Sequence, residues 1–299
     1  MSKPEISESE RSQALYGHAA MLLFAALISV SFTLGHLAAP HIDPSALTAA
    51  RFLLAACIIG ALAAPRMEAR HFRVVWRYPL VGGLLAGYFI LMFEALKITD
   101  PVSTGAVFTL TPIMSAAFGW LLMRQVTTPV MALSLVLAGI GAVWVIFRAD
   151  VEAILGLQLG LGERIFVIGC ASHALYTPMG RLLNRGEPIL VYTFGGILGG
   201  LVVTLLWGWR EVLETDWAGL PGIAWAAVLY LAVFATATTF LLVQYATLRL
   251  PSAKVMAYGY LVPSFVILWE GLLGHGWVAA PVWIGVAATI GALLILLRE

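Results

Sequence analysis

The sequence predicts an all-α membrane protein of ten transmembrane helices in two inverted five-helix repeats, with both termini cytoplasmic. Composition, run length and an internal repeat support this. Of 299 residues, 61% are hydrophobic and 11% charged, and the 29 glycines bring the apolar-plus-glycine share to about 71%. Soluble domains stop near half apolar and carry about a quarter charged residues. A soluble core of this length would also need far more Lys, Glu, Arg and Asp at its surface. Ten helices of about 21 residues would occupy about 70% of the chain, which matches the apolar share.

The first apolar run, Gly17–Ala39, follows an N-terminus that carries Glu5, Glu8 and Glu10 instead of a basic segment. It is long enough to span, so it does not read as a cleaved signal peptide. Runs bounded by charge, Pro or polar clusters follow at Pro44–Ala64, Val75–Ile98, Pro101–Met123 and Pro129–Phe147. Five more lie at Leu161–Leu183, Pro188–Trp209, Gly219–Tyr245, Ser252–Leu273 and Pro281–Leu297. Each covers about 30 Å of hydrocarbon at 1.5 Å per residue. Barrel strands would be about half as long and would alternate apolar with polar residues. The expected organisation is a cytoplasmic tail at 1–16, a first repeat at 17–147, a connecting loop at 148–160 and a second repeat at 161–299.

Short positively charged loops stay in the cytoplasm. With the N-terminus inside, twelve of the 17 Lys and Arg fall on the cytoplasmic side. Lys97, Arg148, Arg164 and Arg210 fall opposite, and Arg51 is left within a span.

Sliding the chain against itself reveals the repeat. At an offset of 151, Ala95 meets Ala246, Ala106 meets Ala257, Leu110 meets Leu261 and Pro112 meets Pro263; at 150, Gly141 meets Gly291. The first spans align near 145, through Gly17 and Gly162, Ala26 and Ala171, and Gly35 and Gly180. A unit of five spans is odd, so the second copy enters from the opposite face of the membrane. Inverted repeats of this kind build secondary transporters, which hold substrate near the midplane between the halves and expose it alternately to each side.

At Glu94-Ala95-Leu96-Lys97 through Pro112 to Gly141, and at Gln244-Tyr245-Ala246-Thr247 through Pro263 to Gly291, the chain resembles the drug/metabolite transporter superfamily. The likeness is to its ten-span members with two EamA domains; it covers about residues 17–298, and Arg51 in the second span fits it. The resemblance implies export or exchange of small metabolites, often amino acids, across a bacterial inner membrane. Where relatives carry a Glu after the fourth- and ninth-helix Pro, this chain has Arg124 and the region of His275, and the position matching Arg51 in the second half is Gly195.

Ionisable groups inside spans point to function, since a charge in hydrocarbon needs a partner or a water-filled cavity. Arg51 lies about 10 Å from the outer end of its helix and Glu94 near the outer end of the next. Two readings stand: an Arg51–Glu94 ion pair or an Arg reaching headgroups, and a contact to a substrate carboxylate. Glu270 shares a helix face with Pro263, as an interfacial carboxylate or a proton-sensing group. His173 and Tyr176 stand one turn apart, as cavity lining or as partners of neighbouring backbone. Pro112 and Pro263 free carbonyls in mid-membrane; Thr104, Thr109 and Thr111 precede the first, Tyr258 and Tyr260 the second. Tyr88, Tyr176 and Tyr258 would face an apolar or aromatic substrate group.

No Walker sequence or dinucleotide fingerprint is present, so no cofactor is implied, and no spacing suggests a metal or a catalytic set. A net charge of +1 argues against nucleic acid. The partners implied are a small-molecule substrate and the lipid bilayer. A monomer suffices, and the sequence does not fix the oligomeric state. Efflux of cationic drugs or nucleotide-type metabolites, and a passive channel, are the competing functions. Cys57 and Cys170 read as small buried hydrophobes.

Overall fold

The structure, a computed structural model, describes residues 8–124, 128–156, 159–247, 249–250, 255 and 257–298. Ser252 and Lys254 of the ninth expected span, Lys3 and Glu5 of the tail, and the side chains of Glu8, Glu10, Arg11, Gln244 and Arg298 lie outside that description.

The described residues form helices and no strand. The first half contains α1 (Glu8–Ala38), α2 (Pro44–Ala63), α3 (Arg77–Leu96), α4 (Pro101–Phe108), α5 (Thr111–Met123) and α6 (Pro129–Ile146). A short α7 (Val151–Leu155) leads to α8 (Leu161–Leu183), α9 (Ile189–Trp207), α10 (Trp209–Glu214), α11 (Gly222–Ala232), α12 (Thr239–Thr247), α13 (Val262–Leu272) and α14 (Val282–Arg298). Helix starts follow ordinary capping chemistry. Asp43, Asp100 and Thr128 each accept a backbone N–H of the first turn, with Pro44, Pro101 and Pro129 next in sequence, where a missing N–H costs nothing.

Among the described residues, seven helical stretches are long and apolar enough to cross a membrane: Ser12–Ala38, Pro44–Arg66, Arg77–Leu96, Pro101–Met123, Pro129–Ile146, Ile189–Trp207 and Gly222–Val243. The other three expected spans differ for identifiable reasons. The 23-residue α8 carries Glu163, Arg164 and Arg181. Among the described residues the ninth is broken into a 3₁₀ segment, Tyr258–Leu261, and the 11-residue α13, and α14 has 17 residues. Helix also begins at Glu8, inside the segment expected as a tail, and α7 lies in the expected connecting loop. Cys57 is exposed, contrary to expectation, and Cys170 is buried.

Packing follows the repeat. Along α2 and α9 the contacts run in opposite order, with Gly60 against Phe194, Phe52 against Gly200 and Ser45 against Gly208. Along α6 and α14, Gly141 abuts Gly285, Ser134 Oγ donates to the Ala292 carbonyl at 2.6 Å and Trp144 Nε1 to that of Pro281 at 2.9 Å. These pairs, each the same span of the two halves, are therefore antiparallel. The first spans are exchanged: α1 packs on α11, α12 and α13, and α8 on α3, α4 and α5. A Cβ on Gly17 would press on Leu250, and one on the equivalent Gly162 on the equivalent Thr99. Tyr230 Oη donates to the Leu27 carbonyl at 2.9 Å, and Ser172 Oγ to the Leu84 carbonyl at 2.7 Å.

Candidate functional site

Two helix breaks define the centre. Thr109 and Leu110 turn the chain between α4 and α5, and a 3₁₀ segment, Tyr258–Leu261, precedes α13. Pro112 and Pro263 sit in the first turn of the helices that follow. The residues four before them lose an amide partner, as a proline has none to give. Thr109 Oγ1 donates to the Ala106 carbonyl at 2.6 Å, adding a hydroxyl bond to the one that the Thr109 backbone N–H makes there. The breaks face each other across the halves: a Cβ on Gly105 would touch Val266 and Pro263, and one on Gly259 would touch the Phe108 ring.

Beside the breaks lies an aromatic cluster from α3, α4 and α8. The Tyr88 and His173 rings are 4.6 Å apart, Phe108 and His173 5.7 Å, and His173 stacks toward Tyr176 at 6.2 Å. Buried polar atoms here lack a protein partner, His173 Nδ1 and Arg51 Nη1 among them, and Thr111 stands next to Cys170. Buried polar groups are nearly always hydrogen-bonded, so such a group marks a place that water or a ligand completes.

Arg51 reaches this region from α2 and is 1% exposed. Its Nε donates to Thr236 Oγ1 at 2.9 Å, its Nη2 to the Ala235 carbonyl at 3.3 Å, and its guanidinium lies 3.5 Å from the centre of the Phe89 ring. Thr236 and Ala235 belong to a π-helical turn, Val233–Thr238, between α11 and α12. Neither the Arg51–Glu94 pair nor an Arg reaching headgroups is found. Glu94 is bonded instead to Lys97, one turn on at 3.1 Å, while Arg51 is enclosed between α2, α3 and the π turn.

Glu270 is buried on the same face of α13 as Pro263. Thr33 Oγ1 of α1 donates to it at 2.7 Å, and His275 Nδ1 lies 2.9 Å from its other oxygen. Trp269 Nε1 donates to Ser29 Oγ at 2.8 Å, so α1 is fastened to α13 by two adjacent residues. Tyr258 stands apart from the aromatic cluster: it packs with Met21 and Ala292, and its hydroxyl is 2.9 Å from His18 Nδ1. The structure thus brings Arg51, Tyr88, Thr111, Pro112, His173, Tyr176 and Pro263 to one central region, and places Glu94, Tyr258 and Glu270 away from it.

Sequence reasoning missed three features. The π turn carries no residue that announces it, although Thr236, Thr238 and Thr239 make that stretch the most polar of its span. Phe89 reads as ordinary core until Arg51 lies on it. Arg77, an apparent topology marker, is buried and donates to Glu187 and to the Leu183 carbonyl, both at 2.5 Å. Burial pushes the Glu187 carboxyl up, yet the bonds from Arg77 and the Arg185 backbone N–H prevail and hold it below the usual range. At the other end, a cleft of about 690 Å³ is lined by His36, Lys97, Asp100, Arg148, Asp150 and Glu163. Arg148 and Asp100 pair there at 2.7 Å.

The family model for the EamA-like transporter family matches residues 15–147 and again 160–298. The chain belongs to the EamA-like transporter family. Two copies account for nearly all of it, as the exchanged first spans and the paired breaks suggest on structural grounds. This EamA-like transporter is 25% identical over 287 residues to a Bacillus subtilis (strain 168) protein described as the uncharacterized transporter YyaM, with 93% of this chain and 90% of the relative covered. A solved crystal structure shares the fold, with a TM-score of 0.68 at 22% identity over 95% of this chain and 96% of the other. The protein is accordingly a multi-pass membrane protein of a transporter family.

Proposed function

We propose that the protein is a secondary-type transporter that exports small metabolites, amino acids foremost, from the cytoplasm across a bacterial inner membrane by alternating access. Ten spans form two inverted repeats, at 17–147 and 161–299, with both termini cytoplasmic. The observation that carries the reading is the meeting of two broken helices, one from each half, beside buried polar groups that have no protein partner. Broken helices in corresponding positions of two halves are the arrangement that transporters use for a midplane site. The antiparallel pairing of α2 with α9 and of α6 with α14 supports the inversion, because helices that are copies of each other cross in opposite directions.

Within this reading, Tyr88, Thr111, His173 and Tyr176 line the substrate path, Pro112 and Pro263 let the helices bend, and Glu270 links the path to protons. The test is counterflow in proteoliposomes with a panel of labelled amino acids. Saturable exchange of one or more is expected. Clear transport of cationic drugs with none of any amino acid would sink the substrate assignment, and non-saturable flux would indicate a channel.

A further inference from the structure

We propose that Arg51, held on the π turn of the opposite half, is an anion site that takes the carboxylate of a monoanionic or zwitterionic substrate. It rests on the transporter reading in one respect: the site is enclosed here, so the anion enters through the opening that alternating access supplies.

The first argument is charge. Arg77 is paired with Glu187 and Arg148 with Asp100, but no acidic side chain among the described residues pairs with Arg51. Its partners are a hydroxyl, a carbonyl and the face of Phe89, all neutral, and Nη1 has none. A buried cation inside a span is costly unless it is paired. Here the protein supplies the hydrogen bonds that orient the guanidinium and leaves the compensating charge to something else. A planar guanidinium matches a carboxylate better than a spherical ion, since both present two parallel bonding positions.

The second argument is symmetry. The position equivalent to Arg51 in the second half is Gly195, whose added Cβ would strike the Tyr78 ring. The π turn likewise belongs to one half only, since its counterpart α3 is a regular α-helix. Two departures from a duplicated scaffold therefore meet at one contact. The turn is held by Thr236 and Thr238, whose hydroxyls donate five residues back to the Leu231 and Val233 carbonyls. Such turns concentrate at functional sites.

The third argument is continuity. Tyr88 adjoins Phe89, the ring on which the Arg51 guanidinium lies. Its ring lies 4.8 Å from Phe89 and 4.6 Å from His173. A carboxylate on Arg51 would leave the rest of its molecule beside that aromatic wall.

Thermal unfolding of the full-length purified protein, titrated with benzoate, benzamide and chloride at constant ionic strength, tests the assignment. Benzoate is expected to stabilise saturably and benzamide, its uncharged near-isostere, is not. In Arg51→Gln the apparent affinity for benzoate should fall about tenfold or more. Arg51→Lys, which keeps the charge but not the fork, should lose part of it and serves as the test if Arg51→Gln does not fold. Equal effects of benzoate and benzamide on the native protein, or an unchanged response in both Arg51 variants, would overturn the proposal, as would chloride reproducing the benzoate effect. Selective benzoate binding in a protein that moves no amino acid would refute the amino-acid reading and leave the site standing. Amino-acid counterflow that is identical in Arg51→Gln would do the reverse.

Discussion

At Glu270 one carboxylate joins two elements and a histidine, whereas Glu94 is half-buried and bonded to its neighbour Lys97. Both looked equivalent in the sequence as acids inside spans. Their surroundings separate them, because only Glu270 is held by a helix of the other half, through Thr33. Glu270→Gln is therefore expected to flatten the pH dependence of counterflow, and Glu94→Gln to leave it unchanged; pH profiles that move together in both variants would contradict this. Glu187 gives a stability prediction. Its carboxyl is held below the usual range, so the ionised form stabilises the fold above that range and the contribution is lost as pH falls through the depressed value. Removing one partner of a buried pair costs about 3–5 kcal/mol. Glu187→Gln should lower the unfolding temperature at pH 7 and lessen its further fall as pH drops below about 4.5.

Among the elements, the helix breaks were legible because proline announces them: Pro112 and Pro263 cannot donate an amide, and both stand where a new helix starts. The glycines were half legible. Gly195-x-x-x-Gly199 and Gly196-x-x-x-Gly200 put small residues on one helix face, which permits close contact in lipid, but only the structure names the partner, α3. A Cβ on Gly82 would overlap the backbone of Gly196 and Gly200, and one on Gly199 the backbone of Tyr78 and Pro79, whereas Gly196 faces open space. Overfilling a packed contact costs about 1–3 kcal/mol. Gly82→Leu and Gly199→Leu should each lower the unfolding temperature clearly, and Gly196→Leu hardly at all; equal losses in all three would refute the packing. The π turn was illegible, since a one-residue change of register leaves composition and hydropathy untouched. The Arg51 contact was illegible with it, as it depends on which helix of the other half arrives opposite α2.

Across the whole molecule, the exchange of first spans has a mechanical meaning. Because α1 packs on α11–α13 and α8 on α3–α5, each half contributes a helix to the other's bundle, and neither bundle is a contiguous stretch of chain. The bundles meet along antiparallel pairs of equivalent helices, α2 with α9 and α6 with α14; under the proposed alternating access, rocking one bundle against the other would change both ends of the central path in opposite senses. That geometry requires the loop at Arg70 and the loop at Asp216, each adjoining a second span of its half, to lie on opposite sides of the membrane. Both residues are exposed. In a variant lacking Cys57 and Cys170, single cysteines at Asp216 and Arg148 should react with an impermeant maleimide in intact cells, and one at Arg70 only after permeabilisation. Labelling of Arg70→Cys and Asp216→Cys from the same side would exclude the inverted arrangement. A complete reversal would keep the inversion but place the termini outside, and with them the direction of export would have to be reassigned.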